Sequence, residues 1–174
     1  LRIRSYQASY PPRTPTVSEP TTCAARCPHD DAYCDNCDRL VGLPGVHVIG
    51  VDRRPAGLVV EVESPPAMMG CPTCGVVARS HGRRTVTLVD IPCFGAPTRV
   101  RWRKRTWTCP EPSCPVGVFT EQDEQIAKPR AMLTTRACRW ATEQVRREHA
   151  SIAGLARQLA TTWRTVWTSI EPIL

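Results

Sequence analysis

Hydrophobic and polar residues alternate along the middle of the chain, a pattern typical of half-buried β-strands. Leu58, Val60 and Val62 fall on one face of a strand over residues 58–63, and residues 46–51 form a second strand candidate. The turn-forming stretch at residues 53–57 separates the two, so together they predict a hairpin. Further strands are predicted over residues 85–89 and 98–108.

The last of these strands carries an arginine at every second position. Its two faces are predicted to be Arg99, Arg101, Arg103 and Arg105 on one side, and Val100, Trp102, Lys104 and Thr106 on the other. A row of guanidinium groups can follow a phosphate backbone, with Trp102 or Trp107 available for stacking. The alternative is a solvated face whose long side chains cover a thin sheet, and the sequence leaves both interpretations open.

After Pro129 the alternation gives way to a helical period. Apolar residues three and four positions apart predict a helix over residues 131–148, and residues 151–170 predict two shorter helices. Ser151 is placed to cap the first of these, and Ala160-Thr161-Thr162 forms the turn between them. We therefore predict a trihelical helix-turn-helix domain, although Ala160 stands where such a turn often has glycine.

The second helix of this pair is predicted to present five residues outward as candidate DNA contacts: Thr162, Trp163, Arg164, Trp167 and Thr168. Arg164 suits a phosphate or a guanine edge. The alternative for the two tryptophans is that one or both pack against a missing C-terminal neighbour.

Four cysteines form two knuckles with zinc-ligand spacing. Cys71 and Cys74 are followed, after a gap of 34 residues, by Cys109 and Cys114. Two such turns complete a tetrahedral thiolate site, which predicts a structural zinc because four thiolates leave no open position for water. Four further cysteines, Cys23, Cys27, Cys34 and Cys37, have irregular spacing, and free thiols are favoured there over a second metal site that would include His29.

The positive charge of the chain is concentrated in its C-terminal part. The chain of 174 residues has a net charge of +7. Residues 1–98 hold 10 Lys/Arg and 9 Asp/Glu, a net charge of +1, whereas residues 99–174 hold 13 and 7, a net charge of +6. A basic C-terminal half favours a nucleic-acid partner, with an arginine-biased genome as the plainer explanation. With no apolar run of about 20 residues and no signal peptide, we expect cytosolic thiols rather than disulfides and no membrane span.

The order of these motifs over residues 40–174 resembles the N-terminal region of ISL-three family bacterial insertion-sequence transposases. The segments that carry the resemblance are, in order, Leu43-Pro44-Gly45-Val46, Gly70-Cys71-Pro72-Thr73-Cys74-Gly75, His81-Gly82-Arg83-Arg84-Thr85-Val86, Leu88-Val89-Asp90-Ile91-Pro92, Arg101-Trp102-Arg103-Lys104-Arg105, and Cys109-Pro110 to Cys114-Pro115. The resemblance implies a zinc ribbon and a helix-turn-helix that bind the terminal inverted repeats of the element. It also implies a downstream Asp-Asp-Glu catalytic domain.

The sequence thus predicts an α+β protein in three parts: a poorly ordered tail over residues 1–40, a small antiparallel β zinc ribbon over 41–120, and a helix-turn-helix domain over 121–174. The expected function is DNA binding by a transposase fragment that is not itself an enzyme and that lies with the nucleoid in the cytoplasm. Double-stranded DNA is the expected partner, and self-association through the missing C-terminal part is a further expectation. A stand-alone zinc-ribbon transcriptional regulator and a zinc-stapled protein-interaction module are the alternatives.

Overall fold

The computed structural model describes residues 33–174 as a mixed α+β protein with one sheet and four helices. The elements, in chain order, are α1 (Asp35–Val41), β1 (His47–Arg54), β2 (Gly57–Glu63), β3 (Arg79–Cys93), β4 (Ala96–Thr108), β5 (Val118–Thr120), α2 (Thr135–Glu148), α3 (Ile152–Gln158) and α4 (Trp163–Ile170), and a short 3-10 turn at Glu171–Ile173 follows. Within the described part of the chain no helix is both long and apolar enough to cross a membrane.

The sheet has the strand order β1-β2-β4-β3, with β5 added to β4. The β1–β2 hairpin confirms the predicted turn, and β3 and β4 form a second antiparallel hairpin. However, β2 and β4 are parallel, so the prediction of a purely antiparallel sheet was wrong. The connection over residues 64–78 is long enough to carry β3 past the neighbouring position, and β4 then inserts between β2 and β3.

One face of the sheet is apolar and packed. Val60, Val62, Val100 and Trp102 lie in a core cluster with Leu88. Two residues from the segment before α2, Ile126 and Ala127, belong to the same cluster and cover this face. That segment packs on the sheet, although the sequence had placed it with the helices.

The opposite face is polar, and we call it the open face. It carries Glu61, Glu63, Thr85, Thr87, Arg101 and Arg103, which the strand register places beside one another. The alternation predicted for β4 is therefore present, because Val100, Trp102 and Lys104 are buried while Arg101 and Arg103 are not.

Helices α2, α3 and α4 surround a second core, which also reaches the sheet through Val89. Each helix begins with a hydroxyl cap: Thr134 accepts from the backbone N–H of Ala137, Ser151 from Gly154 and Thr162 from Thr165. Leu133, just before α2, forms a parallel bridge with Val89, so the chain that enters α2 lies alongside β3.

Helix α1 lies in the last part of the predicted tail. Asp38 holds it against β1, because its carboxylate accepts a hydrogen bond from the backbone N–H of Val48 at 2.6 Å and contacts His47 Nδ1 at 2.6 Å. Cys34 is buried beside this helix and Cys37 is half-buried. Cys23, Cys27 and His29, the other candidates for the second metal site, lie outside the described residues.

Candidate metal centre and nucleic-acid interface

The two cysteine knuckles are brought together by the β3–β4 hairpin. The first knuckle comes directly before β3, and the second comes directly after β4. Arg79 at the start of β3 pairs with Thr108 at the end of β4, so the two knuckles meet at one end of the hairpin. Strand β5 returns beside β4 after the second knuckle and closes that turn.

The sulfur atoms of the four predicted zinc ligands all lie within 4.8 Å of one another. Cys71 Sγ is 3.7 Å from Cys114 Sγ, and Cys74 Sγ is 3.5 Å from Cys109 Sγ. With Zn–S bonds of about 2.3 Å, the sulfurs of a tetrahedral site are roughly 3.8 Å apart. The donor set and its spacing therefore fit zinc. His81 and Cys93, which lie between the two knuckles in the sequence, do not belong to this cluster.

Backbone N–H groups around the knuckles favour thiolate. The N–H groups of Cys74 and Thr73 point to Cys71 and lower the pKa of its thiol to about 7. The N–H of Glu111 does the same for Cys109, but burial and the neighbouring thiols outweigh it and raise the pKa of Cys109 to about 12. Four adjacent sulfurs ionise together only when a cation neutralises them, as zinc does.

Local hydrogen bonds shape the turns of both knuckles. Gly75, at φ 74°, donates its backbone N–H to the carbonyl oxygen of Cys71 at 2.9 Å, which closes the first knuckle. In the second knuckle the Glu111 carboxylate accepts from both the hydroxyl and the backbone N–H of Ser113, and these bonds lower the pKa of Glu111.

Residues 68–114 match the family model described as the zinc-finger of transposase IS204/IS1001/IS1096/IS1165. This segment is therefore similar to the zinc ribbon of ISL-three family transposases. No curated protein and no solved structure matches the chain. The match covers both knuckles and the hairpin between them, so the resemblance drawn from the motifs is confirmed for this segment.

The zinc ribbon holds a structural zinc through Cys71, Cys74, Cys109 and Cys114. Bound zinc neutralises the thiolates and ties the ends of β3 and β4 together. The cysteines supply no open coordination position, so the metal's part is to stabilise the fold rather than to activate water.

The predicted arginine row lies on the open face, but each member already has a protein contact. Arg99, at one end, donates from Nη1 to the carbonyl oxygen of Leu159 at 3.0 Å and from Nη2 to that of Ala160 at 2.7 Å. Arg105, at the zinc end, has its guanidinium carbon 5.5 Å from the centre of the Trp107 ring.

The two central arginines face carboxylates of β2. Arg101 forms an ion pair with Glu61. Arg103 Nη1 lies 3.4 Å from the Glu63 carboxylate, which Arg83 Nη1 also approaches at 3.5 Å. Glu61 and Glu63 were not predicted as members of this surface, although Glu-Val-Glu at residues 61–63 has the same two-residue period as the arginines.

The five candidate DNA contacts lie at the start of α4 and along it, and most of them are exposed. Thr162, Trp163, Arg164 and Thr168 are exposed, and Trp167 is half-buried. The Trp163 and Trp167 rings stack with centroids 5.8 Å apart, and Trp163 keeps 51% of its surface exposed. Thr162 and Thr168 each use their hydroxyl within the helix, as a cap and as a bond to the carbonyl oxygen of Arg164.

Proposed function

We propose that this chain is the DNA-binding region of a transposase and that it recognises the terminal inverted repeats of an insertion sequence. The observation that carries the proposal is the transposase zinc ribbon at residues 68–114, with its four cysteines gathered into one site. In this proposal, cutting and joining of DNA belong to another part of the transposase.

The helical cluster supports the proposal. Helices α3 and α4 meet at a short turn and share a core with α2, as the two helices and the brace of a helix-turn-helix do. In that role α4 enters the major groove, where Arg164 contacts a guanine edge and Trp163 contacts a thymine methyl group or a sugar.

The open face supplies the second part of the proposed interface. Arg101, Arg103 and Arg105 follow phosphates, while Glu61 and Glu63 hold the guanidinium groups in a fixed row and reduce their net charge. Because two carboxylates face three arginines of the row and Arg83 besides, this surface remains positive.

The test uses the zinc-loaded protein in anisotropy titrations across a range of salt concentrations. One duplex carries the inverted repeats that flank the gene, and the other has a random sequence. We expect Arg164→Ala to cost about 1–3 kcal/mol on the repeat duplex and much less on random DNA. Arg103→Ala should weaken both and flatten the salt slope by about one unit. Arg157→Ala, an exposed arginine on α3, is the matched control.

Equal affinity of the wild type for both duplexes would remove specific recognition from the proposal. An absence of binding at low salt would remove DNA altogether. The stacked pair Trp163 and Trp167 would then favour the protein-docking alternative, because apolar docking depends much less on salt than phosphate binding does. A transcriptional regulator would instead select sites that are unrelated to the inverted repeats.

A further inference from the structure

We propose that Arg99 is a positioning residue, which fixes the direction of α4 relative to the sheet rather than contacting DNA. This inference rests on the proposed function for its effect on DNA recognition. The contact itself, between the side chain of a β4 residue and the turn that joins α3 to α4, is independent of that function.

The contact is a fork. Arg99 donates from two nitrogens to two successive carbonyl oxygens, those of Leu159 and Ala160, which end α3 and begin the turn. Carbonyl groups at a helix C-terminus have no partner within the helix, and the planar guanidinium spans two of them at once. Partial burial of the guanidinium lowers the pKa of Arg99.

The turn that Arg99 holds has one strained residue. Ala160 adopts φ 47°, a left-handed conformation that residues other than glycine seldom take. Such conformations persist where neighbouring contacts hold them, and the second arm of the fork ends on the Ala160 carbonyl. Thr162, which caps α4, follows two residues later, so the turn sets where that helix points.

The rest of the row does not share this arrangement. Arg101 and Arg103 pair instead with carboxylates of the neighbouring strand. Arg99 also pairs with Val89 on β3, which contributes to the helical core. Within the row, Arg99 therefore orients α4, whereas the other arginines form the charged surface.

The experiment compares Arg99→Ala, Arg99→Lys and Arg101→Ala, each zinc-loaded, on a duplex selected by the wild-type protein from a random pool and on unselected DNA. A positioning role predicts that Arg99→Ala lowers the affinity ratio between the two duplexes roughly tenfold, which is the discrimination that about one base contact supplies. The salt slope should stay unchanged. Arg99→Lys keeps the charge but not the fork, so it should also lose discrimination.

A phosphate contact predicts the opposite outcome. Arg99→Ala would then weaken both duplexes alike and flatten the salt slope by about one unit, as expected for Arg101→Ala, and Arg99→Lys would restore binding. Either result would overturn the positioning role. Unchanged discrimination and slope in Arg99→Ala would overturn it as well.

Amide hydrogen exchange on the free protein separates this inference from the proposed function. The N–H groups of Ala160 and Thr161 close the turn onto the carbonyl oxygens of Arg157 and Ala156. Arg99→Lys should speed their exchange about tenfold while the amides of the cysteine knuckles exchange at the wild-type rate. Unchanged exchange at the turn would refute the contact even if the protein binds no DNA. Faster exchange without DNA binding would leave the contact standing and refute only the proposed function.

Discussion

Glu61 shows how a single residue can tune the charge of the open face. Its carboxylate pairs with Arg101, and both side chains are more than a third exposed. An exposed pair of this kind contributes at most about 1 kcal/mol to folding, so its main effect is on the local field rather than on stability. Removing the negative charge leaves Arg101 available to a phosphate.

We therefore expect Glu61→Gln to strengthen binding to random duplex DNA by about fivefold at low salt, since charges a few ångströms apart at a solvated surface interact by about 1 kcal/mol. Anisotropy titrations at two salt concentrations measure this effect, and the gain should shrink at the higher concentration. Glu124→Gln, an exposed glutamate away from the open face, is the control. Identical affinities for both variants would show that phosphates do not approach Arg101.

The residues of this face also show what a sequence can and cannot predict. The two-residue period of the arginines places them correctly on one side of β4, because alternation is a local property of a strand. Their partners Glu61 and Glu63 come from β2, about 40 residues earlier in the sequence and in a parallel pairing. Local patterns carry no information about which strands become neighbours, so the ion pairs could not be predicted.

At the scale of elements, zinc and the β3–β4 hairpin depend on each other. The hairpin brings the knuckles together, and the metal holds the ends of the two strands in place. The sequence predicted only residues 85–89 of β3 because the polar stretch before them does not alternate. In the structure the polar stretch from Arg79 onward also belongs to β3, because its backbone pairs with β4.

We expect the purified protein to hold one zinc ion per chain and Cys109→Ser to lose it, with unfolding of the knuckles, because metal binding energy here is folding energy. Metal content by atomic spectroscopy and circular dichroism during titration with a chelator measure both effects. Cys93→Ser, which removes a thiol outside the four-cysteine cluster, should retain zinc. Full zinc content in Cys109→Ser would contradict the assignment of the ligands.

The turn between α3 and α4 carries a cost that glycine would remove. Ala160 at φ 47° is disfavoured by about 1–2 kcal/mol, whereas glycine adopts this conformation freely and loses about 0.5–1 kcal/mol through its greater entropy in the unfolded chain. Ala160→Gly should therefore raise the free energy of unfolding by about 0.5 kcal/mol, as measured by urea denaturation. Ala153→Gly, an exposed alanine within α3, should lower it by about 0.5–1 kcal/mol. A loss of stability in Ala160→Gly comparable to that control would argue against the strained turn.

At the scale of the whole molecule, the β3–β4 hairpin joins the two cores of the described chain. Its first end holds the zinc knuckles, and its other end contacts the helices through Val89, Asp90 and Arg99. Asp90 is fully buried and accepts hydrogen bonds from Thr134 and Arg136, whose Nη1 also donates to the carbonyl oxygen of Val41. The sequence suggested two separate modules, because nothing local in Asp90 shows that it would bind the start of α2.

Asp90→Ala tests whether this buried pair docks the helices on the sheet. The variant leaves the half-buried Arg136 without its carboxylate and Thr134 without its acceptor, so we expect a loss of about 3–5 kcal/mol in the free energy of unfolding. Urea denaturation followed by tryptophan fluorescence measures it. Asp52→Ala breaks an exposed pair with Arg54 and should cost no more than about 1 kcal/mol. The double variant Asp90→Ala, Arg136→Ala should lose less than the sum of the single variants, because the two side chains act on one another. Additive losses, or a loss for Asp90→Ala as small as that of the surface pair, would show that other contacts hold the helices in place.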